Sequence, residues 1–500
     1  MPGPGHQSTG LNAPRCPREG HLRARRRSPW LAAFVTPRLD ADYLVVGAGA
    51  TGMAFADAVL DHSDARLVLV DRRHGAGGHW LDAYPFVQLH QASSFYGVAS
   101  TPLGGGRIQQ RGPEAGLFER ATMPEICAYY GQVLNDRLLA SGRVEFLPAT
   151  EYDGGRQVVS RVSGQRYDVP DGCRVVDARY LAPDIPAHTP PPFEVGEGAR
   201  VIPVNEVAAL GAPTSEFVIV GAGKTATDAI IWLLARGVEA DRICWVRPRD
   251  PWMLNRAVVQ PDPAVFLSMA ADLMQCAAES STLDEVFWRL EDAGVMLRLD
   301  RAVTPTMARA PTLGTWELDL LRSVERVVRL GHVRRVDPGR LTLDEGTVEV
   351  AADAVVVHCA ASGLRNPPLV PVWGPEAITL QPIRSGFPCF GAALVGYVEA
   401  TRDDDAEKNR LCPPSPYGNT LADWAAMNVR GARAAAAFGA EPDIRDWANG
   451  VALNPARVPA ERSGSVEVTE ALARLQTHAP AGIARLIRLG GTGPQADAAR

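Results

Sequence analysis

Two glycine-rich turns carry most of the chemistry legible in this chain. Gly47, Gly49 and Gly52 space a G-x-G-x-x-G in "YLVVGAGATG". The first glycine permits a tight turn, the second lets a pyrophosphate approach the backbone, and the third lets helix and strand pack closely. An apolar run precedes the turn, and "TGMAFADAVLDH", of helical character, follows it. A helix N-terminus there offers unpaired N–H groups and a partial positive charge to phosphates. The next apolar run, "ARLVLVD", ends at Asp71, where a carboxylate accepts hydrogen bonds from ribose hydroxyls. The second turn, "FVIVGAGKTATDA", supplies Gly221 and Gly223, with Ala226 in the third small-residue position and Thr225 beside it. Lys224 adds positive charge near the phosphates. Its second strand, "RICWV", is followed by Arg247 and Arg249 rather than by an acid. An Asp at that place holds a 2′-hydroxyl, whereas an Arg pairs bidentately with a 2′-phosphate.

Composition narrows the classes that fit. The chain has 500 residues, enough for two or three domains with substantial cores. It is 46% hydrophobic and 22% charged, with a formal charge of -6, which gives no electrostatic case for nucleic-acid binding. No apolar stretch approaches the ~20 residues that span a bilayer, and "LAAFVT" after "RARRR" is too short for a signal-peptide core. A cytoplasmic protein without membrane or nucleic-acid partners is expected. The eight cysteines form no C-x-x-C pair, which argues against a thiol–disulfide redox centre and a zinc ribbon. No metal cluster, Ser-His-Asp set or paired catalytic carboxylates stand out.

These turns need sheets to position them, so the expected fold is α/β, with two Rossmann-like three-layer dinucleotide-binding domains. Residues 1–38, rich in Pro, Gly and Arg, read as a disordered arm. The first domain is expected at 39–198 and again at 346–445, with the second inserted at 199–345. The stretch 261–330 reads mostly as helix, and 446–500 as a C-terminal helical extension and tail. A third apolar strand, "ADAVVVHCAASGL", is expected to return the chain to the first domain, with His358 as a core histidine.

After Asp71 come Arg72 and then Gly77, Gly78, His79 and Trp80. On this G-G-x-W and on the second turn's G-x-G-x-[ST]-A-x-D, the chain resembles the flavin-dependent monooxygenases with two dinucleotide-binding domains: the flavin-containing, Baeyer–Villiger and N-hydroxylating types. The resemblance covers about residues 40–440. It implies FAD at the first site, held by the glycines, Asp71, Arg72, Gly78, His79 and Trp80, and NADPH at the second. It places "YPFVQLHQASSFYG" beside the flavin ring, with Gln88, His90, Gln91, Ser93 and Ser94 able to hydrogen-bond there. Gln91 falls where the flavin-containing enzymes carry an Asn near the reactive flavin carbon, so Gln91 and His90 are the catalytic candidates. The implied activity is oxygen insertion from O2 into a small organic substrate through a flavin peroxide. The alternative is a reductase or dehydrogenase passing electrons to an acceptor. Two family marks are missing: the F-x-G-x-x-x-H between the turns, of which only Phe193 stands, and the C-terminal G-D. "PRDPWMLNR", with Trp252, Asn255 and Arg256, is expected near the cleft. Asp403, Asp404 and Asp405 are expected as an exposed acidic loop.

Overall fold

The computed structural model describes residues 36–361, 363–364 and 367–491. The arm expected over 1–38 therefore lies, up to residue 35, outside the described residues. Two parallel five-stranded sheets organise the rest. The first runs Ala377–Thr379, Arg174–Asp177, Tyr43–Val46, Leu67–Val70 and Val144–Leu147. The second runs Val327–Val328, Ile243–Val246, Phe217–Val220, Val355–His358 and Arg200–Pro203. The chain leaves the first sheet, builds the whole second sheet and then returns, so the second unit is inserted into the first.

Strands such as "LVLV", "FVIV" and "ICWV" are apolar without alternation because both sheet faces are covered. On one face of the first sheet, Val45, Leu67 and Leu69 meet the helix Ala50–His62. On the other, Leu44, Val46, Val68 and Val70 meet Val158 and Val169 of a small antiparallel meander. The second sheet repeats the arrangement. Ile219, Trp245 and Val357 face the helix Lys224–Ala235. Val218, Val246 and Val356 face Val333, Val336 and Leu341 of a second meander.

Helix Ala50–His62 is buried from Gly52 through Leu60, because the helix Pro388–Thr401 covers its outer side. The two helices touch backbone to backbone: a Cβ at Gly396 would lie 2.7 Å from the Phe55 carbonyl oxygen.

Two expectations are corrected. Strand Val355–His358 pairs with Phe217–Val220 in the second sheet, so the inserted unit extends past residue 345 and the return strand is Ala377–Thr379. The stretch 261–330 is only partly helical. Helices Pro263–Glu279, Leu283–Asp292 and Thr315–Arg322 form, but Met296–Arg298 and Met307–Leu313 flank Pro251–Asn255 as a three-stranded sheet. Pro311, which has no N–H, sits where the register jumps between Met253 and Leu254, and this hides the strand from sequence patterning.

Gly396→Ala should push the paired helices apart and cost about 1–3 kcal/mol. Gly131→Ala, in a helix where a Cβ meets nothing within 4 Å, should be neutral or gain up to about 1 kcal/mol. Urea denaturation of both variants checks this. Equal midpoints would show that the helix contact relaxes freely.

Candidate active site

Each glycine turn closes at the carboxyl end of its sheet. Gly47 has φ +110°, and a Cβ at Gly52 would stand 1.9 Å from the Gly47 oxygen, so the first turn tolerates no side chain at Gly52. Gly78 packs on the same turn, and its Cβ would lie 2.9 Å from Gly49 Cα. Asp71 ties the turn to its strand: one carboxylate oxygen accepts the Ala48 N–H at 2.9 Å and the other the Arg73 N–H at 2.9 Å. A carboxylate has about four acceptor positions, so lone pairs remain for ribose hydroxyls. In the second turn Gly221 has φ +139° and abuts the Cys359 carbonyl, while a Cβ at Gly223 would meet nothing within 4 Å. Space before Gly223 is what an approaching pyrophosphate requires.

Helix caps distinguish these two turns from several other helix starts. Asp262, Thr282, Thr420 and Ser465 cap their helices with a side-chain oxygen. The helices after Gly49 and Gly223 have no side-chain cap and no acid in the first turn. Their free N–H groups suit a phosphate. The residues present therefore fit two dinucleotides.

The loop after Trp80 is the seam between the two units. Tyr84 donates to Asp228 at 2.7 Å, and Asp228 also pairs with Lys224. Phe86 stacks on Trp232 with ring centroids 4.8 Å apart. Arg120 donates to the Leu89 carbonyl at 2.9 Å and Arg256 to the His90 carbonyl at 3.1 Å. Arg256, 1% exposed, pairs with Glu114 from the first unit and with Glu317, at 2.6 Å, from the second. Arg120 grips Glu114 through two bonds of 2.9 and 2.8 Å. Burial raises the Glu114 pKa, but Arg256 and Arg120 outweigh it and hold the carboxyl at about 2. Arg256 thus locks the seam rather than facing a cleft, and Trp252 is buried against Phe287.

His90 is neutral. Burial first, then the cations Lys224 and Arg256, push it down to about 3. Its Nδ1 accepts the Thr312 N–H at 3.4 Å, which leaves the ring proton on Nε2, a donor rather than a base. His79 is held near about 4 by burial and Arg73. Trp80 is buried and donates to the Tyr96 hydroxyl at 2.7 Å, within a cluster that includes Tyr130.

A cavity of about 370 Å³ opens beside Gln91. Its walls are apolar side chains of the helices Pro263–Glu279, Leu421–Gly439 and Val466–Gly490, and Arg384 to Phe387 close one side. Gln91 donates to the Gly386 carbonyl at 3.2 Å. Ser94 is half-buried, and Ser93 donates to the Glu119 carbonyl at 3.1 Å. Gln88 and Arg72, grouped with the site from sequence, are exposed, and Gln88 pairs by backbone with Thr122. The structure therefore brings Gln91 to the cavity and leaves Gln88 outside it.

Arg247 requires a correction. It is 3% exposed, stacks over the Trp245 ring at 4.2 Å and pairs with the buried Asp250 at 2.9 Å. Trp245 in turn donates to the Gly221 carbonyl at 2.7 Å. Arg247 braces the second turn from below, whereas Arg249 is exposed. Arg256 was expected near the cleft, but the groups that join it, Glu114, Arg120 and Glu317, and also Arg384, carry no signal in the sequence. Their partners are far apart in sequence, so no local pattern marks them. The acidic run is also structural: Asp404 caps the helix Asp405–Leu411, and Asp405 pairs with Arg174 and Lys408.

The chain is 40% identical over 432 residues to the uncharacterized protein Rv2000 of Mycobacterium tuberculosis (strain ATCC 25618 / H37Rv), covering 85% of this chain and 80% of that one. It belongs to that protein's family. Residues 45–85 match the family model described as an NAD(P)-binding Rossmann-like domain. Similar solved structures include the open form of cyclohexanone monooxygenase, at 15% identity, TM-score 0.46, and 72% and 88% of the two chains. Another is an oxidized steroid monooxygenase bound to NADP, at 14% identity, TM-score 0.45, and 87% and 98% coverage. Among the described residues no helix is long and apolar enough to cross a membrane.

Burial also lowers His358, and of the three depressed histidines His79 and His90, in the site, give a pH dependence. Each has an ordinary value of 6.5 and stays neutral in the fold, whereas the unfolded chain binds protons below about that value. The unfolded state then holds more protons, so stability falls as pH drops from about 6.5 toward 4. The double variant His79→Gln, His90→Gln should lose less stability between pH 7 and 5 than the parent. Denaturation at both pH values measures this, and parallel losses would contradict it.

Proposed function

We propose that the chain is an FAD- and NADPH-dependent monooxygenase that inserts one oxygen of O2 into a small organic substrate. The observation that carries this reading is the apolar cavity at Gln91, set beside the seam of two turns that each fit a dinucleotide. Bound FAD would supply the redox chemistry, taking a hydride from NADPH and delivering the electrons to O2, with one oxygen entering the substrate and the other leaving as water.

The chain's own residues do the rest. Gly47, Gly49, Gly52 and Gly78 receive the FAD pyrophosphate on bare backbone, and Asp71 takes the ribose. Gly221, Gly223, Thr225 and Ala226 form the second cradle, with Lys224 held by Asp228 at its edge. His90 stays neutral and positions its loop, and Gln91 offers an amide at the cavity wall. Apolar walls keep water from the reacting atoms, which limits wasteful release of hydrogen peroxide.

Thiol chemistry is disfavoured as the acceptor route. Burial pushes Cys389 up to about 12 and Cys244 and Cys276 up to about 11, so none supplies a thiolate near neutral pH.

Arg249 is the residue we assign to the 2′-phosphate. Arg249→Ala should raise the NADPH KM roughly 10- to 150-fold, the loss of one charge-assisted bond, and leave NADH nearly unchanged. Arg247→Ala should instead destabilise the fold by on the order of 3 kcal/mol, by leaving Asp250 buried with only the longer Arg329 contact at 3.4 Å, and affect both nucleotides alike. Steady-state kinetics and thermal melting separate the two. An NADPH-selective defect in Arg247→Ala would reverse the assignment.

Oxygen insertion itself is tested by rapid mixing of NADPH-reduced protein with O2. A transient spectrum before the oxidised one returns is expected. Direct return in one phase, with stoichiometric hydrogen peroxide for every compound tried, would favour electron transfer to an acceptor.

A further inference from the structure

The polar groups of the cavity fall into two kinds. Ser385 donates its hydroxyl to the Met427 carbonyl at 2.8 Å, Asn428 donates to the Trp424 carbonyl at 2.8 Å, and Gln91 to that of Gly386. These three are already engaged within the protein. Arg384 is not. No carboxylate among the described residues pairs with its guanidinium, whose Cζ lies 5.9 Å from the centroid of the Phe266 ring. None of the residues lining the cavity is an acid.

This sets Arg384 apart from the buried arginines at the seam and beneath the second turn. Arg120, Arg247 and Arg256 each face a carboxylate at hydrogen-bonding distance. Arg384 is half-buried and lines the cavity. A guanidinium partly withdrawn from water without a counter-ion is costly, and an incoming anion in the cavity would offset that cost. Burial lowers the Arg384 pKa to about 10, which still leaves it cationic at neutral pH. Phe266 beneath the cation, with Met269, Leu273, Met427, Leu475 and Ile483, lines the rest of the cavity with apolar surface. The volume, about 370 Å³, falls within the roughly 300–1,000 Å³ of small-molecule sites.

We propose that Arg384 anchors the anionic head of an amphipathic organic acid whose hydrocarbon body fills this cavity, so that the substrate class is a carboxylate-bearing apolar molecule. The proposal rests on the reading of the cavity as the substrate site. With its head fixed at Arg384, such a molecule would present its carbon skeleton along the wall that ends at Gln91. A planar guanidinium matches a carboxylate bidentately, which fixes orientation as well as affinity. A second source of the anion is the cofactor itself, and the experiment distinguishes the two.

Calorimetry on the full chain loaded with FAD tests the proposal, with decanoate and decan-1-ol as probes of equal chain length. Decanoate should bind roughly 10-fold or more tightly than decan-1-ol. Arg384→Met should remove that preference while leaving decan-1-ol binding and flavin content unchanged, and Arg384→Lys should keep part of it. Equal affinity of the two probes in the parent protein would overturn the proposal, as would no binding of decanoate at millimolar concentration. So would decanoate binding that survives Arg384→Met. Loss of flavin from Arg384→Met would assign the arginine to the cofactor and also overturn it. Binding is read without turnover, so this result and that of the oxygen experiment can fail separately.

Discussion

Arg256 is the side chain on which the geometry of the site depends. It is buried between two carboxylates, Glu114 of the first unit and Glu317 of the second, and its Nε holds the His90 carbonyl. With Arg120 added, two cations meet two anions, and Trp316 and the Gly314 N–H occupy further carboxylate positions. Replacing a buried set of this kind by apolar residues is often neutral or stabilising, but removing one member strands a charge at a cost of about 3–5 kcal/mol. Its role is better sought in positioning. The loop that carries His90 and Gln91 is held from both sides, so the two turns keep a fixed relation and the cavity keeps its wall.

The same rule of satisfied groups explains where this chain leaves groups open. Helices with ordinary structural roles begin at Asp262, Thr282 or Thr420, whose side chains occupy the first free N–H groups. At Gly49 and Gly223 nothing does. Another start without a side-chain cap, at Phe387, belongs to the helix Pro388–Thr401 and adjoins the cavity, whereas that at Glu441, before the helix Pro442–Gly450, lies outside the cavity lining. Unsatisfied donors at the ends of sheet strands are tolerable only where water or a ligand reaches them. Three of the uncapped starts, at Gly49, Gly223 and Phe387, thus lie at the two turns and the cavity.

What was legible in the sequence was local. A turn that excludes a Cβ at Gly52, an apolar strand covered on both faces and an acid at a strand end are all decided within a few residues. The insertion of one unit in the other was legible because two complete strand–turn–helix patterns lie far apart. Sheet membership was not. "VVVH" at Val355–His358 is apolar enough for either sheet, and only long-range pairing with Phe217–Val220 decides it. Arg247 failed for a related reason. Its place after the strand was right, but Asp250 three residues on and the Trp245 ring beneath turn it into a brace. Gln88 and Gln91 read alike in one loop, and the path of the chain exposes one and buries part of the other.

Arginines show how far burial alone misleads. Arg247 and Arg256 are buried and Arg384 is half-buried at the cavity wall, so all three are at least partly withdrawn from water. Their counter-ions separate them. Asp250 neutralises the first, and Glu114 with Glu317 the second, so both are complete within the protein. Arg384 faces an aromatic ring and aliphatic carbon, with no acid among the cavity residues. Attraction to the face of a ring is weaker than pairing with a carboxylate in the same low-dielectric surroundings. A cation left with only the weaker partner is therefore poised for a stronger one, and the apolar lining of the cavity restricts what that partner can be attached to.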